Sequence, residues 1–129
     1  SAESACYRGE INPKNPNKIS WYKVEHPTGV ARYRMAAKGV INQNSKTKEI
    51  VFIGGSYNPY NYNGIGYNGQ PSTPSNTIWH YNLKKNKWKI TTSDNATMDH
   101  RGLLELDGEL ITIGGMADNQ QVLKTINRY

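Results

Sequence analysis

Lys48-Glu49-Ile50-Val51-Phe52-Ile53-Gly54-Gly55 is a short apolar run closed by two glycines, and Glu109-Leu110-Ile111-Thr112-Ile113-Gly114-Gly115 repeats it. The two glycine pairs stand 60 residues apart. Self-similarity at such a period marks a repeat architecture. Each run is too short for an ordinary helix and rich in Ile and Val, so each reads as a buried strand. Glycines that close a strand free the backbone for positive φ and leave room for another chain segment to approach.

Aligning the two runs brings their neighbours into register. Arg34 to Ile41 precedes the first and Arg101 to Leu106 the second. Asp107-Gly108 then joins two apolar segments and predicts a two-residue hairpin. In the first copy the join is longer, Asn42 to Thr47. After the glycines, Thr77-Ile78-Trp79-His80-Tyr81 matches Thr125-Ile126-Asn127-Arg128-Tyr129 in Thr, Ile and Tyr. The first copy continues through a turn, Asn82 to Lys87, into Trp88-Lys89-Ile90, whereas the second stops at Tyr129. At the start of the chain, Ala5 to Arg8, a turn over Asn12 to Asn17 and Ile19 to Val24 read as the third and fourth strands of an earlier copy, with Trp21 matching Trp88. Two Asn-Pro steps mark that turn. No segment carries capped helical periodicity, so the chain is expected to be all-β.

A first strand opened by Arg, a second ending in Gly-Gly, a Tyr closing the third and a Trp opening the fourth together resemble the kelch repeat. The resemblance implies β-propeller blades of four antiparallel strands, similar to those of the galactose oxidase central domain. It divides the chain into the end of one blade (1–26), one complete blade (32–92) with an insertion at 56–75, and three strands of a further blade (99–129). Complete kelch rings have six or seven blades, so this is a partial ring. Open ends would expose apolar faces and strand edges. Either the chain is a piece of a longer propeller, the preferred reading, or copies associate to complete a ring as a homo-oligomer.

Composition narrows the setting. Apolar residues form 36% of the chain, mean hydropathy is −0.78, and 9 Tyr and 3 Trp supply the bulky rings. No run has the ~18 apolar residues of a membrane helix. The start at Ser1-Ala2 without Met reads as a processed or excised piece, and inclines the compartment, otherwise undetermined, toward periplasmic or secreted. One Cys cannot form an internal disulfide, no Cys/His cluster has zinc spacing, and no cofactor or metal is called for. Residues 1–93 carry 13 Lys and Arg against 4 Asp and Glu; residues 94–129 carry 3 against 6.

Antiparallel alternation sorts the joins onto two ends of the sheets. One end gathers Lys14, Lys18, Lys46, Lys48, Lys84, Lys85 and Lys87, which read as solvated turns and predict no specific nucleic-acid partner. The other gathers 56–75, His26 to Tyr33, and Thr92 to Arg101. The insertion mixes Tyr57, Tyr60, Tyr62 and Tyr67 with Asn, Gly, Pro and Ser, the chemistry of binding loops, though the same composition also suits a mobile loop. With Arg32, Arg34, His100 and Arg101 nearby, these residues form the candidate ligand-binding set. The expected function is noncovalent recognition of a protein or glycan on this Tyr/Arg end, leaning against an enzyme, with no membrane partner. The alternative is a fragment of a propeller enzyme acting on sugars, similar to the sialic-acid epimerases or the oxidases: Arg34 and Arg101 would suit an acidic sugar, or would form structural contacts between blades. Trp88 is expected to be the buried aromatic anchor.

Overall fold

The computed structural model describes residues 3–100 and 102–129. These form nine strands in three antiparallel sheets: β1 (Cys6–Asn12) with β2 (Asn15–Val24); β3 (Ala36–Ile41), β4 (Lys48–Ile53), β5 (Ser75–Asn82) and β6 (Lys87–Thr97); and β7 (Leu104–Leu106), β8 (Glu109–Ile113) and β9 (Ile126–Arg128). Each sheet is ordered as the chain runs. No α-helix occurs among the described residues, only a 3-10 turn at Asp118–Gln120. The all-β expectation holds.

Side-chain alternation explains why three sheets stand side by side. In the middle sheet Val51, Ile53, Ile78 and Ala36 share one face and are almost fully buried, packed with Leu103, Leu110 and Tyr129 of the last sheet. The opposite face presents Ile50, Phe52, Trp79, Tyr81 and Trp88 to the β1–β2 hairpin. There Arg8 donates to the Leu83 carbonyl at 2.6 Å. A sheet apolar on both faces needs a neighbour on each side, and only the middle one has both. The outward faces stay open: Tyr7, Ile11, Ile19 and Trp21 at one end, and Leu104, Leu106, Ile113 and Ile126 at the other, are exposed.

The repeat is visible in individual hydrogen bonds. Gly54 N–H donates to Thr77 O and Gly114 N–H to Thr125 O; Ser75 N–H donates to Gly55 O and Leu123 N–H to Gly115 O. All four glycines have positive φ, between 69° and 94°. The Asp107-Gly108 turn also has positive φ at both residues (50° and 80°), the mirror-image turn that such a pair favours. The longer joins use another device. The side-chain oxygens of Asn42 and Asn82 each accept two backbone N–H groups of their own turn, as does that of Asn12.

Two boundaries and one burial assignment differ from the sequence reading. The first turn is only Pro13-Lys14, and Asn15-Pro16 already belongs to β2, because the Asn12 side chain closes the turn within three residues. Strand β6 runs past its bulge to Thr97, so Thr92–Thr97, expected in a join, lie in the sheet. Trp79, 3% exposed, is the buried indole; Trp88 is only partly buried, since the hairpin covers its face incompletely.

A Cβ at Gly54 would lie 2.3 Å from the Thr97 carbonyl oxygen, whereas one at Gly29, also at positive φ, would meet nothing within 4 Å. Gly29→Ala should therefore cost only the ~1–2 kcal/mol of left-handed strain, and Gly54→Ala more than about 4 kcal/mol. Urea unfolding of the two variants checks the difference.

Candidate functional site

The insertion 56–75 is a folded unit. Bridges Tyr33–Ser56, Tyr60–Gly66 and Ile65–Pro71 tie it into small loops, and Ser72 donates through its hydroxyl to Asn58 O at 2.6 Å. Tyr60 is fully buried and packs with Met98, Met116 and Tyr33. Gly64 lies so close to Met116 that a Cβ there would be 2.6 Å from its sulfur, and Gln120 donates to Ser72 O. The insertion of the middle sheet is thus seated on the join of the last sheet. Tyr60 is its core anchor, not a surface contact. Tyr62 and Tyr67 project into solvent, 89% and 73% exposed, and Tyr57 is half exposed.

The basic residues part company. Arg34 pairs with Asp99 at 2.5 Å, and the Tyr60 hydroxyl donates to the same carboxylate at 3.3 Å. Burial and that carboxylate push the Tyr60 phenol well above its usual range. Arg34 and Asp99 occupy equivalent places: each follows a bridging residue (Tyr33, Met98), and each has positive φ (54° and 63°). The sequence alignment set Arg34 against Arg101 instead; Arg101 lies outside the described residues. The ion pair joins two sheets, leaving Arg34 already matched to a carboxylate.

Arg32 is different. It is 9% exposed, with its guanidinium between the rings of Tyr57 (4.6 Å) and Trp79 (4.4 Å). One terminal nitrogen donates to Gly54 O and Thr77 Oγ1, the other to the Tyr57 hydroxyl at 2.5 Å. Burial pulls its pKa below the usual arginine value. Sequence reasoning named Arg32 as a candidate but not the rings that hold it, which come from residues 25 and 47 positions away.

His100 is buried between the glycine pairs of two sheets. A Cβ at Gly54 would lie 3.1 Å from its Nε2, and one at Gly115 would lie 3.1 Å from its Cε1. Nε2 shares a 2.8 Å hydrogen bond with Thr97 Oγ1, and from Thr97 a chain of hydroxyls runs through Tyr129 to Thr112 and on to the Asn127 amide. His100 is therefore part of the seam between sheets, not of a ligand surface. Among the described residues no group of three or more His, Cys, Asp or Glu is placed to hold a metal ion.

Desolvation lowers the His100 pKa below its ordinary 6.5. The unfolded chain takes up a proton as pH falls through about 6.5 while the folded ring stays neutral, so the unfolded state binds more protons and stability falls with pH. Unfolding free energy should decline between about pH 7 and pH 5, and His100→Gln should flatten the decline. Urea titrations at several pH values check it.

With this geometry in view, comparison with known proteins is informative. Residues 66–94 match the Kelch motif. No curated protein matches the sequence. Among solved structures, the structure of YjhT matches with a TM-score of 0.60 at 16% identity, over 95% of this chain and 34% of that one. The chain thus spans about a third of YjhT, and the likeness is one of fold. That fold is a partial β-propeller of antiparallel blades, and the Kelch motif is matched within the middle one.

Proposed function

We propose that the chain is a recognition module that binds a protein partner at the end of the sheets where residues 56–75 fold. The observation that carries this reading is the insertion itself: a segment of loop composition seated on Tyr60, from whose folded backbone Tyr62 and Tyr67 project into solvent. An aromatic side chain has few torsions to immobilise on binding, and tyrosine combines an apolar ring with a hydrogen-bonding tip. Kelch-type blades are consistent with protein binding.

A photo-reactive residue placed at Tyr62 or Tyr67 should crosslink a discrete partner that one placed at Lys46, at the opposite end of the sheets, does not. The Tyr62→Ala, Tyr67→Ala double variant should weaken that partner's binding about tenfold or more at unchanged melting temperature. Equal crosslinking from both ends, or specific retention on a glycan array instead, would overturn the reading.

We also propose that the two outward apolar faces pack against further blades, from a longer chain or from copies of this one. Light scattering distinguishes the sources: a discrete closed oligomer indicates copies, and a monomer that binds an apolar dye indicates blades supplied in the same polypeptide. A monomer that binds no dye would overturn this proposal.

A further inference from the structure

Strand β1 lacks a neighbour that its counterparts have. β4 is paired on both edges, by β3 and β5, and β8 by β7 and β9, whereas β1 pairs only with β2. Along β1 lies a cavity of about 240 Å³, lined by the five consecutive residues Cys6 to Glu10. Successive residues of a strand point to opposite faces, so a cavity that meets all five runs along the strand's edge. Its other wall is the middle sheet, with Ile50, Phe52, Tyr81 and Trp88. Ile50 and Phe52 are only partly buried, while Val51 and Ile53, which alternate with them and pack with the last sheet, are each 1% exposed. The same strand is thus covered on the side where a three-stranded neighbour stands and half covered on the side of the two-stranded hairpin.

The internal repeat identifies what fits there. Trp21 and Trp88 are equivalent, and they pair with Gly9 and Tyr81. Arg8 therefore occupies the place of His80. His80 in turn matches Arg128, because each stands opposite the residue three before its glycine pair, Val51 and Ile111 respectively. Both have a glutamate two residues further back on that strand: Glu49 Oε2 lies 3.3 Å from His80 Nδ1, and Glu109 pairs with Arg128. A basic residue on the third strand facing a glutamate on the second is thus a feature of the repeat. Arg8 is the basic half alone; its carboxylate among the described residues is Glu10 of its own strand, at 3.2 Å and half exposed. A strand with an unpaired edge, beside a half-covered apolar wall, is a seat for an added strand. A folded copy of this chain cannot lend β4 or β8, since both edges of each are already taken.

We propose, on the reading that further blades adjoin the chain, that the free edge of β1 takes up an antiparallel strand of a further repeat, with the pattern Glu-x-Val/Ile-x-Ile-Gly-Gly. Its glutamate pairs with Arg8. Its two branched residues cover Ile50 and Phe52, as Val51 and Ile53 pack with Leu110 at the other seam.

A capped synthetic peptide of the Glu109 to Gly115 sequence, with two added lysines for solubility, is the probe, and NMR of the full chain reads amide shifts and amide exchange. The peptide should shift the amide signals of Tyr7 to Glu10 saturably and slow their exchange, and should move the side-chain signals of Ile50 and Phe52. Glu109→Gln in the peptide should weaken binding about tenfold, and Ile111→Pro with Thr112→Pro in the peptide should abolish it. These changes leave the protein itself untouched. Arg8→Gln in the protein should remove the difference between the Glu and Gln peptides. No saturable response, an equal response to a scrambled peptide, or one confined to the outward face at Trp21 would overturn the proposal. Protection of β1 that rises with protein concentration in the absence of peptide would mean that a second copy fills the edge, and would overturn it as well. Dye binding reports the outward faces and amide exchange the β1 edge, so failure of either reading shows in its own measurement.

Discussion

The structure depends on how closely neighbouring backbone approaches the ends of the glycine-ended strands. Gly54, Gly55 and Gly115 leave no room for a side chain: Thr97 O, Tyr33 O and Met98 O respectively stand where or close to where a Cβ would be. Backbone thereby meets backbone: within the middle sheet Gly55 N–H reaches Thr97 O at 2.9 Å, and Gly115 of the last sheet lies against Met98 O. A buried amide in such a place must find an acceptor, and the left-handed turn at the glycines aims it at one. His100, Thr97, Tyr129 and Thr112 continue the polar contact inward until the apolar layer of Val51, Ile53, Ile78 and Leu103 takes over.

That constraint explains what the sequence disclosed. A glycine pair at the end of each apolar run is a local signal, and the Asp-Gly turn is another, because both depend on backbone conformation that few residues adopt. Strand order and the pairing of faces followed from them. The positions of Arg34, Asp99 and Tyr60 did not. Matching by residue type set Arg34 beside Arg101, whereas the backbone makes Arg34 and Asp99 equivalent and then pairs their opposite charges. Two copies of one structural position have diverged to complementary signs, which residue-type alignment penalises. Tyr60 was equally hidden: among four tyrosines in one polar segment, only the three-dimensional path decides which one turns inward.

The loop end therefore holds two kinds of arginine. Arg34 and Asp99 form a bolt between sheets, backed by Tyr33 and Tyr60, whose rings stand 5.1 Å apart at nearly a right angle. Arg32 faces the other seam, and its charge is balanced by ring faces and dipoles. Aromatic stacking holds such a guanidinium in place without neutralising it, so the side chain is rigid and still cationic.

The graded surroundings of the three indoles have an optical corollary. Trp21 lies on an open face over Gly9, Trp88 is half covered and bonds through its N–H to Glu25 O, and Trp79 is enclosed. Trp21 lies on the outer side of the hairpin, whereas Trp79 and Trp88 share the face of the middle sheet beneath it, with Trp79 the deeper of the two. Intrinsic fluorescence of the chain consequently contains three depth-resolved reporters, and whatever comes to cover the hairpin would shade Trp21 first.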